Sequence, residues 1–225
     1  MPVFSRIERF KHKISELSNP YLGRFRKKRL NNDDFTIISN NCWGGVCYEY
    51  YCLPKMSPTV GMYFFAEEYI RFLSNIREYL SKELMVVGFE ESKYKEELRK
   101  RGQTDVLIGK LDDVEIVLLH YHDKSIAKEK WNRRIKRVNW DNLIIKFSYM
   151  NLCEERHVQA FEQITSKMIS EKKEFQRIRR ILFLPQKNGA YSDAYYIEPN
   201  EDGQIENDTF YWNRYCDVEE IINQK

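Results

Sequence analysis

Four groupings of residues in this sequence have types and spacings that could do chemistry. The first is Asn40, Asn41, Cys42, Trp43, Gly44 and Gly45, which follows the apolar run FTIIS at Phe35 to Ser39 and precedes a segment, Val46 to Leu53, able to form a helix. A strand, a glycine-containing loop and a helix in that order present backbone N–H groups to an anion. The two asparagines carry donors and acceptors suited to sugar hydroxyls or a diphosphate, and equally to capping the helix. The second grouping is Asp113 and Glu115, whose alternation along a strand would put both carboxylates on one face, as metal-dependent transferases hold Mg²⁺ or Mn²⁺. The same residues also suit a hairpin turn and the solvent face of an edge strand.

The third grouping is His120, Tyr121, Trp131, Arg133, Arg134 and Arg137. His120 ends an apolar strand, a position from which an imidazole can act as general base near neutral pH. Arg133 and Arg137 lie four residues apart on one helix face, so their guanidinium groups could clamp a phosphate, or pair with Glu129 at the surface. The fourth is Asp141, Asn142 and Ser148, of which the first two precede a strand and read as a turn. Ser148 ends that strand and would share a cleft with Asn40 and His120 if their strands run parallel. No serine sits in a Gly-x-Ser-x-Gly elbow, and no cysteine has a histidine partner at motif spacing.

The elements that must position these groups follow from periodicity. Apolar residues at Phe4, Ile7, Phe10, Ile14 and Leu17 predict a peripheral helix, with the basic cluster Arg24, Arg26, Lys27, Lys28 and Arg29 as its tail. Ala66 to Leu84 predicts one amphipathic helix, and Lys93 to Arg101 a charged helix or loop. Asp105 to Lys110 and Val114 to Tyr121 predict a hairpin across Leu111 to Asp113. A helix over Ser125 to Val138 and a buried strand at Leu143 to Ser148 complete an expected βαβ unit with the strand before them. Glu154 to Ile169 reads as helix, Arg179 to Leu184 as strand, and the remainder as irregular until a short helix at Val218 to Ile222. The expected architecture is a three-layer α/β fold: a mixed, mostly parallel sheet flanked by helices, with a β-hairpin and an irregular C-terminal segment. Residues 1–33 form an N-terminal helix and basic linker, and residues 34–225 one α/β domain.

Composition narrows the function classes. A chain of 225 residues with 42% hydrophobic and 14% aromatic residues is too apolar to be disordered. Its 37 Lys and Arg against 34 Asp and Glu leave a net charge of +3, well short of a nucleic-acid-binding excess. The opening MPVFSRIERFKHKI lacks the apolar run of a signal peptide, and no window approaches about 18 apolar residues. A cytoplasmic protein is therefore expected, with peripheral membrane contact left open. Cys42, Cys47 and Cys52 recur every five residues, which on a helix turns each about 140° from the last and disfavours a shared zinc site.

Three segments, FTIISNNCWGG at Phe35 to Gly45, SPTVGMYF at Ser57 to Phe64 and LLHYHDKSIAKEKWNRRIKRVNWDNLIIKFS at Leu118 to Ser148, closely resemble a bacterial domain family of uncharacterised chemistry. Its members are often labelled exopolysaccharide biosynthesis proteins. The resemblance runs from about Asp34 to the RYCDVEEIIN segment and implies an α/β fold and a part in surface-glycan assembly. The expected activity is glycosyl transfer from an activated donor, a nucleotide sugar or glycan intermediate. Asn40, Asn41, Gly44, Gly45, Tyr121 and Ser148 would line the substrate site, and Arg133 and Arg137 would hold phosphate. His120 would deprotonate the acceptor, and Asp113 and Glu115 would bind a divalent cation if one is used. The alternatives are a noncatalytic glycan-binding or assembly factor, and a transferase moving an acyl or phosphoryl-linked substituent.

Overall fold

The computed structural model describes residues 6–170, 177–187, 190–191, 194–210 and 212–224, excepting the side chains of 6–12 and 15. Four strands, β1 (Thr36–Ser39), β5 (Leu143–Ser148), β6 (Ile178–Leu184) and β7 (Ala194–Tyr196), form a parallel sheet in the order β1-β5-β6-β7. Three others, β2 (Met85–Gly88), β3 (Leu107–Leu111) and β4 (Val114–Leu118), form a separate antiparallel sheet. The fold is thus mixed α/β, with a mostly parallel arrangement flanked by helices and a hairpin.

Strand alternation sorts the core of the parallel sheet. Leu143, Ile145, Phe147, Leu182 and Leu184 face one layer, with Phe72 of α3 (Ala66–Ser74), Trp131 of α6 (Lys124–Ile135) and Phe161 of α7 (Glu155–Ser170). Ile37, Ile144, Ile181 and Phe183 face the other, against Trp43 and Tyr48 of α2 (Trp43–Tyr50) and Ile221 of α8 (Val218–Asn223). The antiparallel sheet adds a small outer core, where Ile108 and Val117 meet Leu98 of α5 (Lys95–Lys100).

Several expectations require correction. The strand–helix–strand from β4 through α6 to β5 is not a βαβ unit, because β4 and β5 belong to different sheets. Here α6 carries the chain from one sheet to the other, a route that local periodicity does not distinguish from a crossover. The amphipathic run after Ala66 is two helices, α3 and α4 (Ile76–Ser81), broken where Asn75 adopts φ −147°, ψ 52° and bonds Glu78 through its side chain. Strands β2 and β7 lie in stretches not expected to be extended.

The N-terminal helix α1 (Arg6–Lys27) continues through Pro20, so Arg24, Arg26 and Lys27 of the basic cluster expected as its tail occupy its last turn, and Lys28 and Arg29 follow it. Its C-terminal half is held by α2: Gly23 is buried where a Cβ would come 2.7 Å from Cys52 Cβ, and the Arg26 guanidinium lies 3.9 Å from the Tyr50 ring centre. Phe4 and the side chains of Ile7 and Phe10 lie outside the described residues.

Candidate functional site

The two sheets are joined by the segment before α3. Tyr63 exchanges backbone hydrogen bonds with Val117 of β4 (2.9 and 2.8 Å), while Phe64 N–H donates to the Asn40 carbonyl beyond β1 (3.0 Å). The next contact on this seam is His120 N–H to the Gly61 carbonyl, 3.1 Å. Gly61 has φ +83°, and a Cβ there would meet the Tyr121 ring at 3.2 Å, so both its backbone and the available space favour glycine.

Along this seam opens a cleft of about 550 Å³. Cys42 and Gly45 line it from the start of α2, His120 and Tyr121 from the end of β4, and Lys130 and Arg134 from α6. Asn207, Thr209 and Phe210 of the C-terminal segment close one side, and Glu16 of α1 reaches its edge. The site therefore draws on both sheets, which is why residues distant in sequence meet there.

Arg134 is 6% exposed, yet its guanidinium meets only neutral oxygens. Nη1 donates to the Val60 carbonyl (2.9 Å) and to the Tyr121 hydroxyl (2.5 Å), and no carboxylate among the described residues pairs with it. The Tyr121 hydroxyl in turn donates to the Val60 carbonyl (2.8 Å), and the Lys130 ammonium lies 5.4 Å from the Tyr121 ring centre. Burial pushes the Tyr121 hydroxyl pKa upward against the opposing pull of Arg134, which keeps it a neutral hydrogen-bonding group. Among the described residues the His120 ring has no hydrogen-bond partner, and the residue is exposed. Glu49, another wall residue, is already paired with Lys55 at 2.7 Å. Burial raises the Cys42 thiol to about 11, so it stays protonated near neutral pH.

Behind the cleft lies a buried polar network. Asn40 bridges the ends of β1 and β5: its Nδ2 donates to the Ser148 carbonyl (2.9 Å) and its Oδ1 accepts from Ser148 N–H (3.1 Å). Asn41 Oδ1 accepts from Ser39 Oγ (2.9 Å), Lys146 Nζ (3.0 Å) and Trp43 N–H (3.2 Å), while its Nδ2 donates to Asp208 (2.6 Å). Asp208 also pairs with Lys146 and accepts from Ser148 Oγ. Lys146 and Asp208 are both fully buried, and burial pushes the Lys146 pKa down while Asp208 holds it up. Asn207 and Thr209, which flank Asp208, line the cleft, so this ion pair anchors one of its walls.

The structure distributes the sequence-derived residues unevenly. His120, Tyr121 and Gly45 meet in the cleft. Asn40, Asn41 and Ser148 are buried in the network, with their hydrogen-bonding groups turned on one another. Gly44 packs on β1, where a Cβ would stand 3.0 Å from Ile37 Cγ2. Arg133 and Arg137 occupy the outer face of α6 and its end, and Arg133 is bound to Glu129 at 2.6 Å; Arg134 is the arginine turned inward.

Asp113 and Glu115 do not form an open metal pair. Asp113 sits in the hairpin turn and accepts from Tyr79 (2.8 Å) and Arg71 (3.3 Å), contacts that hold its carboxyl below the usual range against a small cost of burial. Glu115 is buried and accepts from Ser92 Oγ (2.6 Å) and Lys93 N–H (3.1 Å), with Lys110 Nζ at 3.4 Å. Neither lines the cleft. Among the described residues, no group of three or more His, Cys, Asp or Glu side chains could hold a metal ion.

Sequence reasoning missed Lys146 and Asp208. Lys146 had a signal, as the one charged residue in the otherwise apolar and hydroxyl-bearing LIIKFS; Asp208 had none, since it lies in a stretch without periodicity.

With this geometry in view, comparison with known proteins places the chain. Residues 13–210 match the family described as a domain of unknown function, DUF1919, and the chain belongs to that family. It is 29% identical over 191 residues to an uncharacterised protein of Haemophilus influenzae strain Rd, a match that covers 85% of this chain and 81% of that protein.

Proposed function

We propose that this member of the DUF1919 family is a transferase of surface-polysaccharide assembly that moves a sugar from an activated, phosphate-linked donor to a glycan hydroxyl. The observation that supports this reading is the state of Arg134: a buried guanidinium with no carboxylate partner among the described residues, set in a cleft with Lys130 and with a His120 ring that has no hydrogen-bond partner among them. A cation held in place by neutral oxygens is a ready seat for an anion, and a diphosphate leaving group supplies one.

In this mechanism His120 takes the proton of the acceptor hydroxyl as its oxygen attacks the anomeric carbon. The bond to the donor phosphate breaks, its electron pair leaves on the phosphate oxygen, and Arg134 and Lys130 stabilise the charge that develops there. Tyr121 is a positioning residue, since its hydroxyl fixes Arg134 Nη1 and its ring faces Lys130. Asp113 and Glu115 are committed to other cations and donors, and no step is assigned to a metal they would hold.

A panel of UDP, GDP, CMP and dTDP sugars tested by thermal shift decides the matter. A donor at about one hundred times its Kd stabilises the folded state by about 2.7 kcal/mol, roughly 5–10 °C for a chain of this size. The expected result is a dose-dependent shift for one nucleotide class that Arg134→Gln abolishes relative to its own baseline. Folded protein that shifts with none of them, but binds glycan saturably, overturns the transferase in favour of a glycan-binding factor.

A further inference from the structure

Helix α1 is mounted the wrong way round for a helix that serves only the fold. Its protein-facing side is small and polar: Gly23 is buried against Cys52, while Arg26 donates to Asn19 Oδ1 (2.7 Å) and to the Tyr50 carbonyl (3.2 Å). Its outward side is apolar. Ile14, Leu17, Tyr21, Leu22 and Phe25 are 50%, 66%, 77%, 47% and 66% exposed, and their spacing gathers them within an arc of about 140°. Five large apolar side chains form a contiguous stripe that water does not favour.

The charges beside that stripe identify what covers it. Lys13, Arg24 and Lys28 are exposed along its border, and none has a carboxylate partner among the described residues. Lys27 and Arg29 are paired instead, with Asp33 and with Glu219 at 3.0 Å, and Arg26, turned toward the body of the protein, is held by Asn19 and Tyr50. Glu16 lies on the opposite side, at the edge of the cleft. A surface that is apolar at its centre and cationic at its rim complements an apolar layer beneath anionic headgroups. Another protein's apolar patch would satisfy the stripe but gives no reason for three cations next to it that have no carboxylate partner among the described residues, one of them, Lys28, lying 5.7 Å from the Phe25 ring centre. No helix among the described residues is long and apolar enough to cross a membrane, so this contact lies in the plane of the surface.

We propose that α1 docks the protein on an anionic lipid surface, with Ile14, Leu17, Tyr21, Leu22 and Phe25 inserted at the headgroup boundary and Lys13, Arg24 and Lys28 against the headgroups. The cleft edge at Glu16 then lies on the face of α1 turned away from the lipid, about one helix diameter above it. This assignment stands independently of the transferase reading.

Flotation of the full chain with vesicles tests it. The protein is expected to float with phosphatidylcholine vesicles containing phosphatidylglycerol, and less with phosphatidylcholine alone. Leu17→Glu with Phe25→Glu lowers the partition constant by about tenfold or more, because two inserted apolar groups become charged. Arg24→Glu weakens binding to anionic vesicles by about fivefold or more and removes most of its salt dependence. All three positions are exposed, so unchanged circular dichroism and melting verify that the variants are folded. Absence from the vesicle fraction at low salt overturns the proposal, as does equal binding to both vesicle types. A dimer that Leu17→Glu with Phe25→Glu dissociates, seen by sedimentation velocity without lipid, also overturns it by identifying a second copy as the occupant.

Discussion

The buried network at Lys146 and the open cleft at His120 share the C-terminal ends of β1 and the neighbouring loops, and they treat charge in opposite ways. Lys146 is fully buried and meets Asp208, which also accepts from Asn41 and Ser148. Arg134 is nearly as buried and, among the described residues, hydrogen-bonds only the Val60 carbonyl and the Tyr121 hydroxyl. A side chain whose charge is answered inside the protein contributes to the fold. One whose charge is left unanswered at the wall of a cleft is available to a ligand. The difference between the regions is one of saturation, and residue type alone does not reveal it: Asn40 and Asn41 have the donors and acceptors of a binding site and spend them internally.

The largest effect expected from breaking this comparison is on the network. Lys146→Met leaves Asp208 as an uncompensated buried carboxylate, and the protein should lose about 3–5 kcal/mol in chemical denaturation. Adding Asp208→Asn removes that charge while retaining a hydrogen-bonding group, and should recover a substantial part of the loss. If the double variant is as unstable as the two single losses combined, the ion pair is not a unit and the network loses its role as anchor of the Asn207 and Thr209 wall.

A smaller loss is expected at Asn40. Its amide supplies both a donor and an acceptor to the Ser148 backbone, in effect extending the β1–β5 ladder by a side chain. Asn40→Ala strands the buried Ser148 N–H, while the Ser148 carbonyl keeps its bond from Met150 N–H (2.8 Å), and should cost about 1–3 kcal/mol. Asn40→Asp retains the acceptor and loses the donor, so its melting temperature should show a penalty even where the carboxylate still reaches Ser148 N–H. A freely tolerated Asn40→Ala would mean that the asparagine is held for a ligand after all.

What the sequence made legible follows the same division. Apolar runs located β5 without error and β1 and β6 to within one residue, because these strands are buried within the parallel sheet, and helical patterning located α6, α7 and α8 to within one to three residues, because each buries one face. The β4–α6–β5 path was misread, since a helix between two strands has the same local pattern whether it stays in one sheet or changes sheets. Strand β2 was missed because its burial is uneven, with Met85 57% exposed at its start. At the site, His120 and Tyr121 were legible as the polar end of an apolar strand, whereas Arg134 was overshadowed by its exposed neighbours Arg133 and Arg137. Choosing among three arginines on one short helix requires knowing which side faces the seam between sheets, and that is set by tertiary packing.

The smallest stability effect belongs to the residue with the largest proposed role. The exposed His120 ring touches no described partner, and its backbone N–H bond to Gly61 survives any substitution that keeps an amide. His120→Ala should therefore change stability by no more than about 0.5 kcal/mol, about 2 °C or less in melting temperature, in the assay that registers Lys146→Met as a collapse. The same variant should bind a nucleotide-sugar donor normally, because the seat for phosphate is Arg134, while sugar transfer falls by about 10²-fold or more with loss of the general base. Unchanged transfer with intact donor binding would remove His120 from the chemistry and leave the cleft as a binding site. A large loss of stability would do something different: it would show that His120 belongs with the saturated residues of the network, and that an unpartnered ring at the seam is not a mark of function.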